Sequence, residues 1–182
     1  MRISKKEVQN LIKEARKAIK NAYCPISEFP VGAAILTEKG DIYSGCNVES
    51  VISGLGVCAE RAAIDHAVAH GEFCFKAIAI FSKFKKPLKP CGACLQYINE
   101  FAQVAGHDIL IFMVGNKGKV EKSSVYKMLP GSFGPEDLGL NLDKYRKKHK
   151  FLSSNFSPIY GNRENGKRRK RRKGKGYKVN FL

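Results

Sequence analysis

The segment "GVCAERAAIDHA" sets Cys58, Glu60 and Arg61 almost side by side in a run with the apolar spacing of a packed helix. Such groups are costly inside a packed helix unless they are partnered or used. Farther along, "KPCGACLQYINEF" places Cys91 and Cys94 three apart at the start of a second helical pattern. Taken singly, each piece has competing readings. A lone C-x-x-C fits a redox dithiol, although no aromatic precedes Cys91, or half of a zinc ribbon, although no second C-x-x-C exists. Cys58 alone fits a small buried hydrophobe, the reading given to Cys24, Cys46 and Cys74. His66 and His70 stand four apart on one helix face, without a third ligand or an intervening Glu. The Gly-Lys of "GNKGKVEKSS" (115–124) falls at the wrong distance for a phosphate loop and reads as a turn between strands.

Together the pieces are far more specific. Cys58-Ala59-Glu60 followed by Pro90-Cys91-Gly92-Ala93-Cys94 resembles the zinc-deaminase pattern H-x-E…P-C-x-x-C in its three-cysteine form. Three protein ligands leave the fourth tetrahedral position to water, as catalytic zinc requires. Helix N-termini favour thiolate through the positive end of the dipole. Zinc lowers the pKa of a bound water enough to make a nucleophile available near neutrality. Glu60, two residues past a ligand, can take the water's proton, pass it to a cytosine ring nitrogen and protonate the departing ammonia. Three thiolates give zinc a net −1 site, and the neighbouring Arg61 supplies a moderating positive charge; its alternative is a surface ion pair.

The elements that must position these groups follow from periodicity. "SKKEVQNLIKEARKAIKNA" opens with a Ser4/Glu7 capping box and carries Val8, Leu11, Ile12, Ala15, Ile19 and Ala22 at helical spacing. "VGAAILTEKGDIYSGC" reads as strand, tight turn at Lys39-Gly40, strand, and a Gly- and Ser-bearing loop over 45–57 leads to the Cys58 helix. "KAIAIFS" (76–82) is apolar enough for a strand buried on both faces, and a Pro-rich loop over 83–90 delivers Cys91 to a helix ending near Ala105. Residues 108–114 and 119–125 read as further strands. Strands alternating with helices predict a layered α/β domain with a mixed sheet, its site at the end of the 76–82 strand.

Charge divides the chain of 182 residues. Residues 1–140 carry 18 Lys+Arg against 14 Asp+Glu, while 141–182 carry 15 against 2. The first part reads as one globular domain. The second reads as a basic extension, disordered when free. Its "KRRKRRKGKGYK" fits a solubilising tail, a nuclear-import address or a phosphate-backbone contact over 163–178. No apolar run approaches the roughly 20 residues of a membrane span, and the N-terminus lacks the apolar core of a secretory signal. Six cysteines without such a signal point to a reducing compartment, hence a cytoplasmic location, with the nucleus open if the tail acts as an address.

Residues 22–138 resemble cytidine deaminase of the short, tetrameric, three-cysteine type, through "AYCPISEFPVGAAI", "SGCNVES", "GVCAERAA", "PCGACLQ" and "LPGSFGPEDL". The resemblance implies a three-layer α/β/α domain with a mixed five-stranded sheet and one zinc per subunit held by Cys58, Cys91 and Cys94. It makes Glu60 the proton shuttle and Phe29, Asn47 and Glu49 the sugar contacts. Ala59 then addresses the base through its backbone N–H, and Phe133 packs on the pyrimidine of a neighbouring subunit in a homotetramer. One departure is Ser53, where the family carries Tyr near the subunit interface. The implied reaction is deamination of free cytidine and deoxycytidine in pyrimidine salvage. An amide beside a carboxylate satisfies a ribose hydroxyl, and Glu49 would repel a 3′-phosphodiester, which disfavours the alternative of an RNA or DNA editor anchored by the tail. Glu60 disfavours a third reading, a non-catalytic zinc-stabilised RNA-binding module.

Overall fold

Ser4 starts the first helix as its sequence predicts. In the computed structural model, which describes residues 2–146, the Ser4 hydroxyl accepts from the Glu7 N–H at 3.2 Å. The Glu7 carboxylate accepts from the Ser4 N–H at 2.8 Å. Helix α1 (Lys5–Ala18) buries Leu11, Ala15 and Ala18 and closes in a 3-10 turn, Ile19–Asn21. Strands β1 (Val31–Thr37) and β2 (Ile42–Cys46) form an antiparallel hairpin, with Gly40 at φ 100° supplying the left-handed turn residue. Helix α2 (Ala59–Ala69) leads into β3 (Phe75–Ser82), which pairs antiparallel with β1. Helix α3 (Gly92–Ala105) then crosses to β4 (Leu110–Val114), parallel to β3, and β5 (Val120–Ser124) closes the edge antiparallel. The sheet order is β2-β1-β3-β4-β5.

Both faces of the central strands are apolar because both are covered. Ala34, Leu36, Ala77, Ala79 and Phe81 face α1, where Leu11, Ala15 and Ile19 pack on them. The alternate residues Ala33, Ile35, Ile78 and Ile80 face the other way, onto Ala63 and Ile64 of α2 and Ile98 and Phe101 of α3. The result is the expected three-layer α/β/α domain with a mixed five-stranded sheet. Two strand glycines set how closely the helices approach. A Cβ on Gly32 would lie 2.2 Å from the Ala15 carbonyl oxygen of α1, and one on Gly45 would lie 2.4 Å from the Ala63 nitrogen of α2.

The structure differs from the sequence reading in three places. Gly45 and Cys46, read both as the end of a strand and as the start of a loop, belong to β2, because they continue the ladder to Ala33 and Gly32. A short helix α4 (Val125–Met128) and a 3-10 turn (Pro135–Leu138) follow β5, too brief to leave a periodic signal. Contacts to the body continue past residue 140. Leu142 is buried, and Arg146 donates through Nε to the Val104 carbonyl at 2.6 Å and through Nη2 to that of Gln103 at 2.8 Å. These bonds satisfy carbonyls at the end of α3, so 141–146 belong to the packed body. The rest of the basic extension, including 163–178, lies outside the described residues. No described helix is long and apolar enough to cross a membrane.

Candidate active site

Cys58 is the N-cap of α2 and Cys91 the N-cap of α3, while Cys94 sits in the first turn of α3. The Cys58 thiol makes no capping bond to α2, and the Cys91 thiol lies against the N–H and thiol of Cys94 in the first turn of α3. The three Sγ atoms lie within 4.8 Å of one another. Tetrahedral zinc with Zn–S near 2.3 Å needs sulfurs about 3.8 Å apart, a small contraction of this cluster. Among the described residues it is the one group of three His, Cys, Asp or Glu side chains drawn together in this way. His66 and His70 are instead used structurally: His66 Nδ1 contacts the Ser44 carbonyl and His70 Nδ1 that of His66, with Tyr43 against both rings.

Glu60, in the first turn of α2, is only 6% exposed. Burial raises its pKa against the pull of its own backbone N–H, Cys94 and Arg61. Burial, then the Glu60 charge, raises the thiols of Cys58 and Cys94 as well. Cys91 goes the other way. Burial opposes ionisation there too, but the Cys94 backbone N–H and the thiols of Cys94 and Cys58 outweigh it and hold the pKa down. Four acidic groups crowd one small volume, which a divalent cation would reconcile, so the donor set fits zinc. Arg61 lies alongside. Its Nη2 donates to the Gly56 carbonyl at 3.1 Å, while its Nε is buried with no hydrogen-bond partner. Burial works to lower the Arg61 pKa, yet Cys58, Cys94 and Cys91 together hold it up.

The residues expected to meet a sugar are brought beside this cluster by two isolated bridges. Val48 pairs antiparallel with Val57, the residue before Cys58, through bonds of 2.9 and 2.8 Å, and pairs parallel with Tyr23 on its other side. Asn47 and Glu49 therefore flank Val48, which pairs with the residue just before Cys58. Both also brace the 26–31 loop. Asn47 Oδ1 accepts from the Val31 N–H at 2.8 Å and its Nδ2 donates to the Phe29 carbonyl at 3.0 Å. Glu49 Oε2 accepts from the N–H groups of Ile26 at 2.8 Å and Ser27 at 3.1 Å, and its Oε1 accepts from the Ser27 hydroxyl. The Ser27 hydroxyl chiefly, then those two amides, hold the Glu49 carboxyl below the usual range. Ala59 is the first residue of α2, where an N–H has no acceptor within the helix. Ser53 lies in an exposed turn.

Phe133 is placed differently. Its side chain is 61% exposed, while its carbonyl is anchored to α3 by Gln96 Nε2 at 2.7 Å and Asn99 Nδ2 at 3.4 Å. Gln103, one turn farther along α3, accepts from the Glu136 N–H at 3.0 Å, and its side chain fills the space a Cβ on Gly134 would need. Sequence reasoning passed over these three polar residues. Their 96, 99, 103 spacing on an apolar helix is the signal that marks a docking stripe for another segment.

A three-layer α/β/α domain with three thiols at two adjoining helix N-termini and a buried carboxylate beside them defines a metallohydrolase. The family model for the cytidine and deoxycytidylate deaminase zinc-binding region matches residues 5–106. The cytidine deaminase of Sporosarcina psychrophila is 45% identical over 132 residues, 72% of this chain and 95% of that protein. The probable cytidine deaminase of Dictyostelium discoideum is 40% identical over 137 residues, covering 75% and 90%. The crystal structure of cytidine deaminase from Burkholderia pseudomallei superposes with a TM-score of 0.64 at 38% identity, covering 69% of this chain and 98% of that one. The chain belongs to the cytidine and deoxycytidylate deaminase family and is a hydrolytic deaminase.

Proposed function

We propose that this enzyme hydrolyses free cytidine and deoxycytidine to uridine and deoxyuridine with release of ammonia, a step of pyrimidine salvage. The observation that carries the proposal is the set of three converging sulfurs with a buried, otherwise unneeded carboxylate two residues from one of them. Cys58, Cys91 and Cys94 would hold one zinc per subunit, which supplies an activated water as nucleophile at carbon 4. Glu60 takes one proton from that water and delivers it to ring nitrogen 3. It then takes the second from the hydroxyl now on carbon 4 and passes it to the amino group, which leaves as ammonia as the carbonyl forms. Its burial, which raises the carboxyl, suits a group that must carry a proton from each uptake to the delivery that follows. Arg61 offsets the excess negative charge of three thiolates.

Ala59 offers its N–H to the base, and Phe29, Asn47 and Glu49 form the sugar wall. The lowered pKa of Glu49 keeps it ionised, so a 3′-phosphodiester would meet a like charge, which supports a free nucleoside as substrate. The outward-facing Phe133 supports a site completed by a neighbouring subunit, hence a homotetramer. Val51, Ile52 and Leu55, exposed with Tyr23 and Ile26, supply apolar surface for such contacts. We assign catalysis to the body that begins the chain and leave the basic extension outside it. Thiolate ligands require a reducing compartment, which supports a cytoplasmic enzyme with nuclear import depending on the tail. The test is an absorbance assay with cytidine against a cytosine-containing oligonucleotide, repeated on Glu60→Gln. Turnover of cytidine alone, falling about 10²- to 10⁴-fold in the variant with zinc retained, is the expected result. Undiminished turnover by Glu60→Gln, or preference for the oligonucleotide, would refute it.

A further inference from the structure

The modest net charge of the body hides an uneven distribution. Lys83, Lys85, Lys86 and Lys89 stand exposed on the loop between β3 and Cys91, and Lys117 and Lys119 stand exposed on the β4–β5 hairpin. The two segments are clamped together. The Asn116 N–H donates to the Phe84 carbonyl at 2.9 Å, its Nδ2 donates to that of Lys83 at 2.6 Å, and Gly115 presses so closely on the Lys85 carbonyl that a Cβ would come within 2.6 Å. The six lysines therefore share one face. The acids that meet them are Glu121, paired with Lys119 at 2.9 Å, and Glu28 across the cleft. Lys119 chiefly holds the Glu121 carboxyl below its usual range, with Lys89 and Lys86 adding to the effect, so both segments act in one field.

At the centre of this face Phe84 is 53% exposed and packs on Phe29 with ring centroids 4.7 Å apart. Glu28, Phe29, Pro30, Lys83, Phe84, Lys85 and Asn116 line an open cleft of about 460 Å³ around the two rings. The paired rings of Phe84 and Phe29 offer an aromatic surface to a ligand, and lysines on either side exclude a purely apolar occupant. Aromatic faces in a basic groove are the chemistry that holds single-stranded nucleic acid, with bases on the rings and phosphates on the ammonium groups. Lysines suit the role because a point charge on a flexible stem tracks a backbone without demanding one phosphate geometry. Six of them exceed what a single phosphate needs.

We propose that this lysine-rimmed aromatic cleft, which borders the proposed nucleoside site through Phe29, binds a single-stranded polynucleotide, separately from the basic extension and whether or not the bound strand is a substrate. The test is fluorescence anisotropy of the full chain with fluorescein-labelled oligothymidylate, which carries no cytosine, across a salt series. In the Lys83→Gln/Lys85→Gln/Lys86→Gln/Lys89→Gln variant the slope of log K against log salt becomes shallower by about 3, at roughly 0.7 for each phosphate no longer neutralised. Phe84→Ala weakens binding about tenfold and leaves that slope unchanged, because stacking releases no counterions. An unaltered unfolding midpoint in each variant ties these changes to the surface. Wild-type affinity and slope in both variants would overturn the proposal and assign all binding to the extension. Displacement of the probe by deoxycytidine monophosphate or polyglutamate as readily as by unlabelled oligothymidylate would overturn it too, in favour of a single-phosphate or acidic-protein site.

Discussion

Gly45→Ala isolates the contact that seats the catalytic helix. Gly45 lies in β2 beneath the first turns of α2, and its added Cβ would fall 2.4 Å from the Ala63 nitrogen, 2.7 Å from the Ala62 carbonyl carbon and 2.9 Å from the Ala59 oxygen. Ordinary contact begins near 3.4 Å, and all three obstacles are backbone, so no rotamer change relieves the shortfall of about 1 Å. The helix must lift by a comparable amount. Cys58 and Glu60 move with it, while Cys91 and Cys94 stay with α3. Overpacking of this kind costs about 1–3 kcal/mol. At about 3 °C per kcal/mol, the melting temperature should fall by roughly 3–9 °C. A 1 Å misplacement of catalytic groups is worth about 10² in rate. Thermal unfolding by circular dichroism and cytidine turnover per folded molecule measure the two effects. Gly32→Ala is the control: its Cβ would meet α1 at 2.2 Å from the Ala15 oxygen, on the opposite face of the sheet. It should destabilise at least as much yet leave turnover per folded molecule near wild type. Wild-type turnover by Gly45→Ala, or an equal loss of turnover in Gly32→Ala, would refute the reasoning.

Asn47→Ala leaves the Val31 N–H and the Phe29 carbonyl without partners, so stability should fall by about 1–3 kcal/mol in urea unfolding and KM for cytidine should rise. An unchanged KM would remove Asn47 from the sugar site. Mixing Phe133→Ala with Glu60→Gln subunits, followed by unfolding and reassembly, should give more activity than the sum of the parents if each site borrows a neighbour's Phe133; a merely additive mixture would exclude sharing. Glu7 is held down at about 2 from 4.5 by the Ser4 backbone N–H, then the Ser4 hydroxyl and Lys76. Its stabilisation is therefore full above pH 4.5 and lost as pH falls through about 2. Glu7→Ala should cost on the order of 1 kcal/mol near neutrality, and the gap to wild type should close on acidification over that interval. A gap that persists at pH 2 would mean that the charge of Glu7 is not what stabilises the cap.

The three-cysteine cluster was legible because its information is local. Cys58-Ala59-Glu60 and Pro90-Cys91…Cys94 each fit within one helix start, and capping positions, apolar periodicity and ligand spacing there agree with one another. The β3 strand was legible for the same reason: an unbroken apolar run has few other uses. What escaped was information carried by contacts between distant segments. The bracing of the 26–31 loop by Asn47 and Glu49 depends on the bridges that place Tyr23, Val48 and Val57 abreast, and no periodicity marks a single-residue bridge. The clustering of lysines depends on Asn116 tying the hairpin to the loop at 83–84; in sequence they are two ordinary solvated stretches.

One further step of the site follows from topology. Helix α2 ends at Ala69 and turns through Gly71, at φ 82°, into β3, so it runs back along the sheet opposite to that strand. Its N-terminus therefore lies at the end where β3 finishes, and β3 finishes into the loop that opens α3. Two helices separated by a whole strand thus present their N-termini at one edge, and the positive ends of both dipoles converge on the same few ångströms. Thiolates are favoured at either end alone, and convergence would help a bound cation draw protons from Cys58 and Cys94 against the burial that raises them. Cys58 and Glu60 belong to one helix start and Cys91 and Cys94 to another, and it is the direction of α2 relative to β3 that brings them together.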